Sequence, residues 1–258
     1  MILTADYHTH TKFSHGKGSV LDNAQEAKNK GLIEVGISDH GFGHPAFGLR
    51  KRKLDRLSSD TILATKTTGV KVLRGIESNI LSTSGKTDLK EKYYENFDIY
   101  LAGMHKLVMY KLGSYLPLSV PNLIRATFKA KTAPKWLIKN NTKTFINVIA
   151  NNPVDVITHL NYCCYADAVE VAKVARDYGT YIELNAKKVH LTDEELYEVA
   201  KTGVKFIISS DAHTPDRVGE ISLVEEWLKR VEIPLTQIDN IDGRLPNFRF
   251  KNFKEKSL

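Results

Sequence analysis

The feature that most constrains the fold of this 258-residue chain is a regular alternation of short apolar runs and helical patterns. Seven runs rich in Val, Ile and Leu end in polar residues, at 2–8, 33–40, 70–77, 98–105, 154–160, 180–185 and 204–213. Nearly continuous apolar runs of this kind predict strands that are covered on both faces of a sheet. Strand, helix, strand, repeated, predicts parallel βαβ units in an open sheet or a closed barrel.

The helical patterns between these runs carry start and stop signals. The pattern over 19–30 begins at a capping serine and ends before Gly31, and "TDEELYEVAKTG" pairs Thr192 with Glu195 in a capping box. We predict further helices over 54–68, 122–131, 135–150, 165–178 and 216–230. The chain has no GxGxxG or P-loop pattern, which disfavours the nucleotide-binding open sheets.

The alternation is interrupted after the fourth apolar run. We interpret residues 106–134 as a lid-like insertion in a single barrel domain that spans 1–258, with a crossover helix following the insertion. Residues 106–154 contain eight Lys or Arg and no Asp or Glu, against a net charge of +7 for the whole chain. A basic segment of this kind attracts anions.

Composition favours a soluble cytoplasmic protein with no membrane partner. No run of about 18 apolar residues is present, and the N-terminus lacks the basic start of a signal peptide. The two cysteines, Cys163 and Cys164, are adjacent and cannot form a disulfide framework. The oligomeric state is left open.

Histidines and carboxylates are concentrated where the predicted strands end. Seven of the nine histidines and two acidic residues lie at the ends of six strands: His8, His10, His15, His40, Glu77, His105, His159, Asp211 and His213. In a parallel α/β fold these ends share one face, which is where active sites lie. We therefore expect these nine side chains to meet.

Imidazole nitrogen and carboxylate oxygen together suit divalent transition metals such as Zn²⁺, Mn²⁺ and Fe²⁺. The number of donors fits two to three ions. Two carboxylates balance only part of that charge, so the site should bind an anion, most naturally the phosphate of a phosphorylated substrate.

The ordered motifs "DYHTHTKFSHG", "SDHG", "RGIES", "AGMH", "THLN" and "SSDAHT" resemble the PHP (polymerase and histidinol phosphatase) family. The resemblance runs from Asp6 to about Gly219, and "RGIESNI", "AGMH" and "GRLPNF" are similar to its YcdX-type phosphatases. It implies a distorted seven-stranded (βα)₇ TIM-like barrel. It also implies a trinuclear metal site. Our hypothesis for the mechanism is that a metal-bound hydroxide attacks phosphorus.

The resemblance also assigns ligands to each ion. It gives one ion to His8, His10, Glu77 and Asp211, a second to Glu77, His105 and His159, and a third to His15, His40 and His213. The catalytic set would be His8, His10, Glu77, Asp211 and Asp39.

Several residues near the motifs have two interpretations each. Asp39 either orients a ligand or a metal-bound water, or caps a turn. His44 is a candidate substrate contact or an exposed loop histidine, and His190 is predicted to be structural. Candidate phosphate-binding cations are Lys12, Lys17, Lys106 and Arg217.

We therefore predict a metal-dependent phosphoesterase, a hydrolase that acts as a phosphatase on a small phosphomonoester. The alternative is a nuclease or phosphodiesterase acting on nucleic acid or nucleotides, which the basic insertion favours. An amide hydrolase is disfavoured because Glu77 takes the bridging position that a modified lysine takes in that class. Complete ligand motifs disfavour a non-catalytic binding module.

Overall fold

The computed structural model describes residues 1–128, 130 and 132–257, and seven parallel strands in sequential order form its sheet. The strands are β1 (Ala5–Thr9), β2 (Glu34–Ile37), β3 (Lys71–Asn79), β4 (Ile99–Gly103), β5 (Val156–Ile157), β6 (Tyr181–Asn185) and β7 (Phe206–Ser209). A parallel bridge joins Thr9 to Ala212, and the His10 N–H donates to the Ala212 carbonyl at 2.8 Å. The first and last strands therefore meet, which confirms a nearly closed (βα)₇ barrel and excludes the open sheet.

The helices are α1 (Val20–Asn29), α2 (Leu54–Thr68), α3 (Val120–Thr127), α4 (Lys135–Asn151), α5 (Ala168–Tyr178), α6 (Asp193–Lys201), α7 (Ser222–Leu228) and α8 (Arg249–Ser257). Both N-terminal caps predicted from sequence are present, because Ser19 and Asp22, and likewise Thr192 and Glu195, exchange capping-box hydrogen bonds. Helix α3 covers the first part of the helix predicted over 122–131, whose residues 129 and 131 lie outside the described residues. None of the described helices has the length and apolar character needed to cross a bilayer.

The prediction of a helix over 216–230 is wrong for the first part of that range. Residues 215–217 form a single 3₁₀ turn, and α7 begins only at Ser222. Between them Gly219 adopts a left-handed φ of 68°, and its N–H donates to Asp6 Oδ2 at 2.9 Å. This hydrogen bond to a buried carboxylate of β1 holds the chain out of helical geometry, and the amphipathic pattern alone does not reveal it.

Apolar side chains fill the lower half of the barrel. One buried cluster draws on five strands and is separate from the larger cluster between sheet and helices: Ala5, Tyr7, Ile99, Leu101, Val156, Tyr181 and Ile207. Phe248, just before α8, packs edge-on against Tyr7 with a centroid distance of 4.9 Å. Since side chains alternate along a strand, positions two and four residues further on also point inward, at the carboxyl ends of the strands.

Strand β1 departs from this alternation. Its register against β2 shifts between Asp6 and Thr9, so that one extra residue of β1 is accommodated there. Tyr7 belongs to the apolar cluster inside the barrel, and His8 contacts residues of β3 and β6 across the barrel. The bulge therefore lets two consecutive side chains face inward, one in the apolar layer and one in the polar layer above it.

Asp155 provides a test of how the base of the barrel is held. It is fully buried and accepts hydrogen bonds from the backbone N–H groups of Tyr100 (2.9 Å) and Phe250 (2.8 Å), which tie β5 to β4 and to α8. Asp155→Asn replaces one acceptor by a donor. We expect it to lower the free energy of unfolding by about 1–3 kcal/mol at pH 5.

The effect of Asp155→Asn should depend on pH. Burial raises the pKa of Asp155 from 3.8 to about 7, against the lowering effect of its backbone hydrogen bonds. Because the folded-state pKa is the higher one, the contribution of Asp155 is complete below about pH 4 and is lost as the pH rises through about 7. Denaturant unfolding at pH 5 and pH 8 should show a smaller difference between wild type and variant at pH 8. A constant or growing difference would contradict this account.

Candidate metal centre

The nine histidines and carboxylates predicted to meet do lie together at the carboxyl ends of the strands. Strand geometry positions most of them. Glu77 lies within β3, a parallel bridge pairs His40 with Glu77, and His105 follows β4 by two residues. Gly103 keeps the space for His159, because a Cβ at residue 103 would lie 2.8 Å from His159 Cε1.

Glu77 is at the centre of this cluster and is fully buried. Its two oxygens face different histidines. Oε1 lies 3.0 Å from His105 Nε2 and 2.7 Å from His159 Nε2. Oε2 lies 2.8 Å from His40 Nδ1, 3.4 Å from His8 Nε2 and 3.7 Å from His10 Nε2. A carboxylate with this arrangement can bridge two cations.

Asp211 forms a second carboxylate position. Its Oδ1 lies 3.3 Å from His10 Nε2, 3.9 Å from His8 Nε2 and 3.3 Å from His213 Nδ1. Asp211 lies beyond the end of β7 and has a φ of 49°, so the loop rather than strand alternation sets its direction. Asp tolerates this left-handed conformation better than most residues.

Glu183 of β6 lies behind His8. His8 Nδ1 is 2.6 Å from Glu183 Oε1, and the His159 N–H donates to Glu183 Oε2 at 2.7 Å. A proton on His8 Nδ1 is therefore held by Glu183, which turns His8 Nε2 toward Glu77 and Asp211. Burial lowers the pKa of His8, but these carboxylates outweigh it and raise that pKa well above its usual value, so a metal ion binding here would displace the proton on Nε2.

His15, His40 and His213 lie side by side at the outer edge of the cluster. The ring centroids of His15 and His40 are 4.8 Å apart and stacked, and those of His15 and His213 are 4.3 Å apart. Three groups have their ligand atoms within 4.8 Å of one another: His10, His40 and His213; His8, His10 and Asp211; and His40, Glu77 and His105. His10 and His40 thus stand between neighbouring groups.

The donor set fits divalent metal ions. Five buried atoms of the cluster have no hydrogen-bond partner among the described residues: His10 Nδ1, His40 Nδ1, His105 Nδ1, His159 Nδ1 and Glu77 Oε2. His40 Nδ1 and Glu77 Oε2 are 2.8 Å apart but are not aligned for a hydrogen bond. Leaving a buried polar atom unpaired costs about 1–3 kcal/mol, so such atoms normally have partners. Imidazole nitrogens and carboxylate oxygens gathered in this way are the ligands that Zn²⁺, Mn²⁺ and Fe²⁺ take.

The electrostatics keep most ligands in the form that binds metal. Burial lowers the pKa of His10 well below its usual value and lowers that of His15 to about 4. Burial also raises the pKa of Glu77, but the surrounding imidazoles outweigh it and hold that pKa well below the usual range. His10 and His15 are therefore neutral and Glu77 is ionised at pH 7, as metal binding requires.

Asp39 anchors a loop. It is fully buried and accepts hydrogen bonds from Thr11 N–H (2.8 Å), Thr11 Oγ1 (2.6 Å) and Ser14 Oγ. Its described hydrogen bonds include none to a histidine. These hydrogen bonds cap the turn and fix the loop that carries His15. The other interpretation, in which Asp39 orients a ligand or a metal-bound water, stays a prediction.

A cavity of about 500 Å³ opens onto the cluster. Of the substrate contacts suggested from sequence, His44 and Lys106 line it, whereas Lys12, Lys17 and Arg217 are not among its lining residues. His44 is buried rather than exposed, and its Nδ1 accepts the Phe47 N–H at 3.0 Å. His190, expected to be structural, also lines the cavity.

Sequence reasoning missed Glu183 and much of the cavity wall: Phe47, Tyr162, Asn185, Lys187 and Lys188. One signal was available for Glu183. In "TYIELN" a carboxylate and an amide, at 183 and 185, interrupt an apolar strand on the same side. Polar residues two apart at the end of a buried strand need partners, and here those partners are the candidate ligands.

The segment after β4 leaves many apolar side chains in solvent. Leu112 is 90% exposed, and Leu116 and Phe128 are each 80% exposed. A π-helical turn (Tyr115–Ser119) leads into α3, while Lys106 and Leu107 reach the cavity. Closure of this segment over the site stays a prediction.

Comparisons of the sequence with known proteins identify one matching family and several similar proteins. A family model described as "PHP domain" matches residues 6–187. The chain is 30% identical over 259 residues to a protein named probable phosphatase from Thermoanaerobacter sp. (strain X514), covering 96% of this chain and 95% of that one. It is also 30% identical over 249 residues to a probable phosphatase of Proteus mirabilis (strain HI4320), with 93% and 90% covered.

Among solved structures, the histidinol phosphate phosphatase of Lactococcus lactis subsp. lactis, complexed with zinc, L-histidinol and phosphate, matches with a TM-score of 0.61. Identity is 16%, and the match covers 91% of this chain and 95% of that one. At this identity the likeness concerns the fold, and it supports the assignment of a seven-stranded barrel.

Proposed function

The chain belongs to the PHP domain family, and from that premise and the geometry of its centre we propose that it is a metal-dependent phosphatase acting on a small phosphomonoester. The observation that carries this proposal is the position of Glu77, a buried carboxylate that lies within 4 Å of five histidines beside a cavity. The names of the relatives, which call them probable phosphatases, support the same reaction class.

We propose a trinuclear centre. Its ligands would be His8, His10, Glu77 and Asp211 for one ion, Glu77, His105 and His159 for a second, and His15, His40 and His213 for a third. When bound, such ions polarise phosphoryl oxygens, lower the pKa of water and stabilise charge on the leaving oxygen. The short distances from Glu77 to His105 and His159 support the second group, and the close rings of His15, His40 and His213 support the third.

The chain's own groups would bind and orient the phosphoryl group. Lys187 Nζ lies 3.3 Å from Asp211 Oδ1 and 3.1 Å from His213 Nδ1, so it is close enough to the ligands to donate to a phosphoryl oxygen. Glu183 holds the proton on His8 Nδ1 and so directs the opposite nitrogen toward Glu77 and Asp211. Phe47 and Leu107 add apolar surface to the lining of the cavity.

The size of the cavity favours a small ester over a polymer. A volume of about 500 Å³ is within the range of small-molecule sites. The basic segment over 106–154 is the feature that favours the nuclease alternative. Salt-sensitive binding to single-stranded DNA in a gel-shift assay, with cleavage of that DNA, would support the alternative.

The proposed function is tested with p-nitrophenyl phosphate and its diester, bis(p-nitrophenyl) phosphate. The protein should be assayed as purified and after loading with Zn²⁺, Mn²⁺ or Fe²⁺, with metal content measured in each case. We expect the loaded protein to hydrolyse the monoester and to prefer it to the diester. Absence of phosphate release by any metal-loaded form would refute the proposal.

Glu183→Gln tests the orientation of His8. The amide cannot hold the Nδ1 proton as the carboxylate does, so we expect metal affinity to fall by about 10- to 100-fold. Competition with a fluorescent chelator measures that affinity independently of turnover. Unchanged affinity would show that Glu183 only fills space. Asp239→Asn is a matched control. Asp239 Oδ2 accepts a hydrogen bond from the hydroxyl of Tyr181 at 3.1 Å, and Tyr181 is the first residue of β6, the strand that carries Glu183.

A further inference from the structure

A group of residues that the proposed chemistry does not use lines the cavity: Lys106, Tyr162, Lys188 and His190. Tyr162 is 42% exposed, and its ring centroid lies 5.0 Å from that of His159 and 5.1 Å from that of His190. Tyr162 therefore forms an apolar platform that begins at a candidate metal ligand and extends outward along the cavity wall.

Two cations line the same cavity as Tyr162. Lys106 Nζ is 5.9 Å from the Tyr162 ring centroid. Lys188 follows β6 by three residues, and its charge acts on His190. Among the described residues, neither ammonium group has a carboxylate partner, whereas Lys71 and Lys205 are paired with Glu34 and Asp239. Two unpaired cations in one cavity raise the local positive potential and attract an anion.

Lys106 and Lys188 differ from Lys187 in their contacts with the candidate metal ligands. Lys187 contacts Asp211 and His213, so its place is beside the reacting phosphoryl group. The other two lysines make no hydrogen bond to a candidate metal ligand within the described part of the chain. Burial lowers the pKa of His190 to about 3, so His190 is neutral at pH 7 and the positive charge of this wall comes from lysine.

We propose that the leaving group of the substrate carries a second anionic group, which Lys106 and Lys188 bind while Tyr162 packs against the carbon skeleton between the two anions. This inference rests on the proposed phosphatase function. It narrows the substrate class to phosphomonoesters with a distal phosphate or carboxylate. A neutral leaving group would leave both ammonium groups without a counter-charge.

The first test compares three substrates that share the reacting end and differ in distal charge: phenyl phosphates bearing 4-carboxylate, 4-methyl or 4-trimethylammonium. We expect kcat/KM to fall in that order. The first two substrates should differ by about tenfold or more, since one charge-assisted contact changes a binding constant by about that factor. The double variant Lys106→Met, Lys188→Met should bring the ratio of the first two near one.

The matched control is Lys28→Met, Lys66→Met, which removes the same charge from exposed positions on α1 and α2. It should keep the wild-type ratio. An equal loss of preference in the control would assign the effect to net charge and overturn the subsite.

A binding experiment tests this inference separately from the phosphatase proposal. Titration calorimetry on zinc-loaded protein compares 4-carboxybenzylphosphonate with benzylphosphonate, neither of which can be hydrolysed at its P–C bond. Tighter binding of the carboxylate analogue, lost in the Lys106/Lys188 variant, would support the subsite. It would do so even if no aryl phosphate were hydrolysed, because that failure would overturn only the phosphatase function. Equal binding of both analogues, or binding of neither, overturns the subsite.

Discussion

Glu77→Gln is expected to lower kcat/KM for an aryl phosphate by about a thousandfold or more, because it removes the charge shared by the centre. The variant keeps the size of the side chain but replaces one carboxylate oxygen by an amide NH₂ group. Both oxygens of Glu77 lie close to imidazole nitrogens, at 2.7 Å from His159 and 2.8 Å from His40. One of these nitrogens would then face a donor, and no bridging anion would remain.

The measurements are kcat/KM and metal content per chain, taken on the same preparation. Glu34→Gln is the matched control. Glu34 is also a buried carboxylate on a strand, but it accepts from Tyr7 Oη at 2.7 Å and from Lys71 Nζ at 2.7 Å near the opposite end of the barrel. It should lower stability and leave activity and metal content close to wild type. Similar behaviour of the two variants would contradict a metal-bridging role for Glu77.

The fold could be predicted because its signals are local. The apolar runs identified all seven strands, and helix α2 occupies 54–68 as predicted, since its amphipathic pattern ends at Gly69 with a left-handed φ of 80°. The helix expected over 216–230 failed for a non-local reason. A hydrogen bond from Gly219 to Asp6, 213 residues away, decides the conformation there.

The bulge in β1 is a second non-local feature. Simple alternation would send Tyr7 and His8 to opposite faces, and the sequence "ADYHTH" carries no sign of the extra residue. The convergence of the histidines was nevertheless predictable, because the carboxyl ends of parallel strands meet whatever the details of each strand. What the pattern could not supply is the partition of ligands, since it depends on loop conformations such as the left-handed φ of Asp211 and of His159.

The cavity wall was the least predictable part of the candidate site. Lys187, Lys188 and His190 belong to a loop whose path the strand rhythm does not determine. Their sequence, "KKVH", is indistinguishable from a solvated turn until the barrel brings it opposite the segment after β4. The barrel topology therefore determines which residues are candidate metal ligands. Substrate preference depends on loops whose positions are known only from the structure.

Removal of metal ions is expected to abolish phosphatase activity and to lower the melting temperature by about 10 °C, since ions that bind only the folded chain stabilise it by mass action. The physical reason lies in the buried centre, where four imidazole nitrogens and Glu77 Oε2 have no hydrogen-bond partner among the described residues. Dialysis against a chelator, followed by thermal unfolding with and without added Zn²⁺, Mn²⁺ or Fe²⁺, measures the shift. Glu77→Gln should show a much smaller shift, and Glu34→Gln the full one. If the chelated wild type kept both its activity and its melting temperature, the histidines and carboxylates at the end of this barrel would be a structural network and not a metal centre.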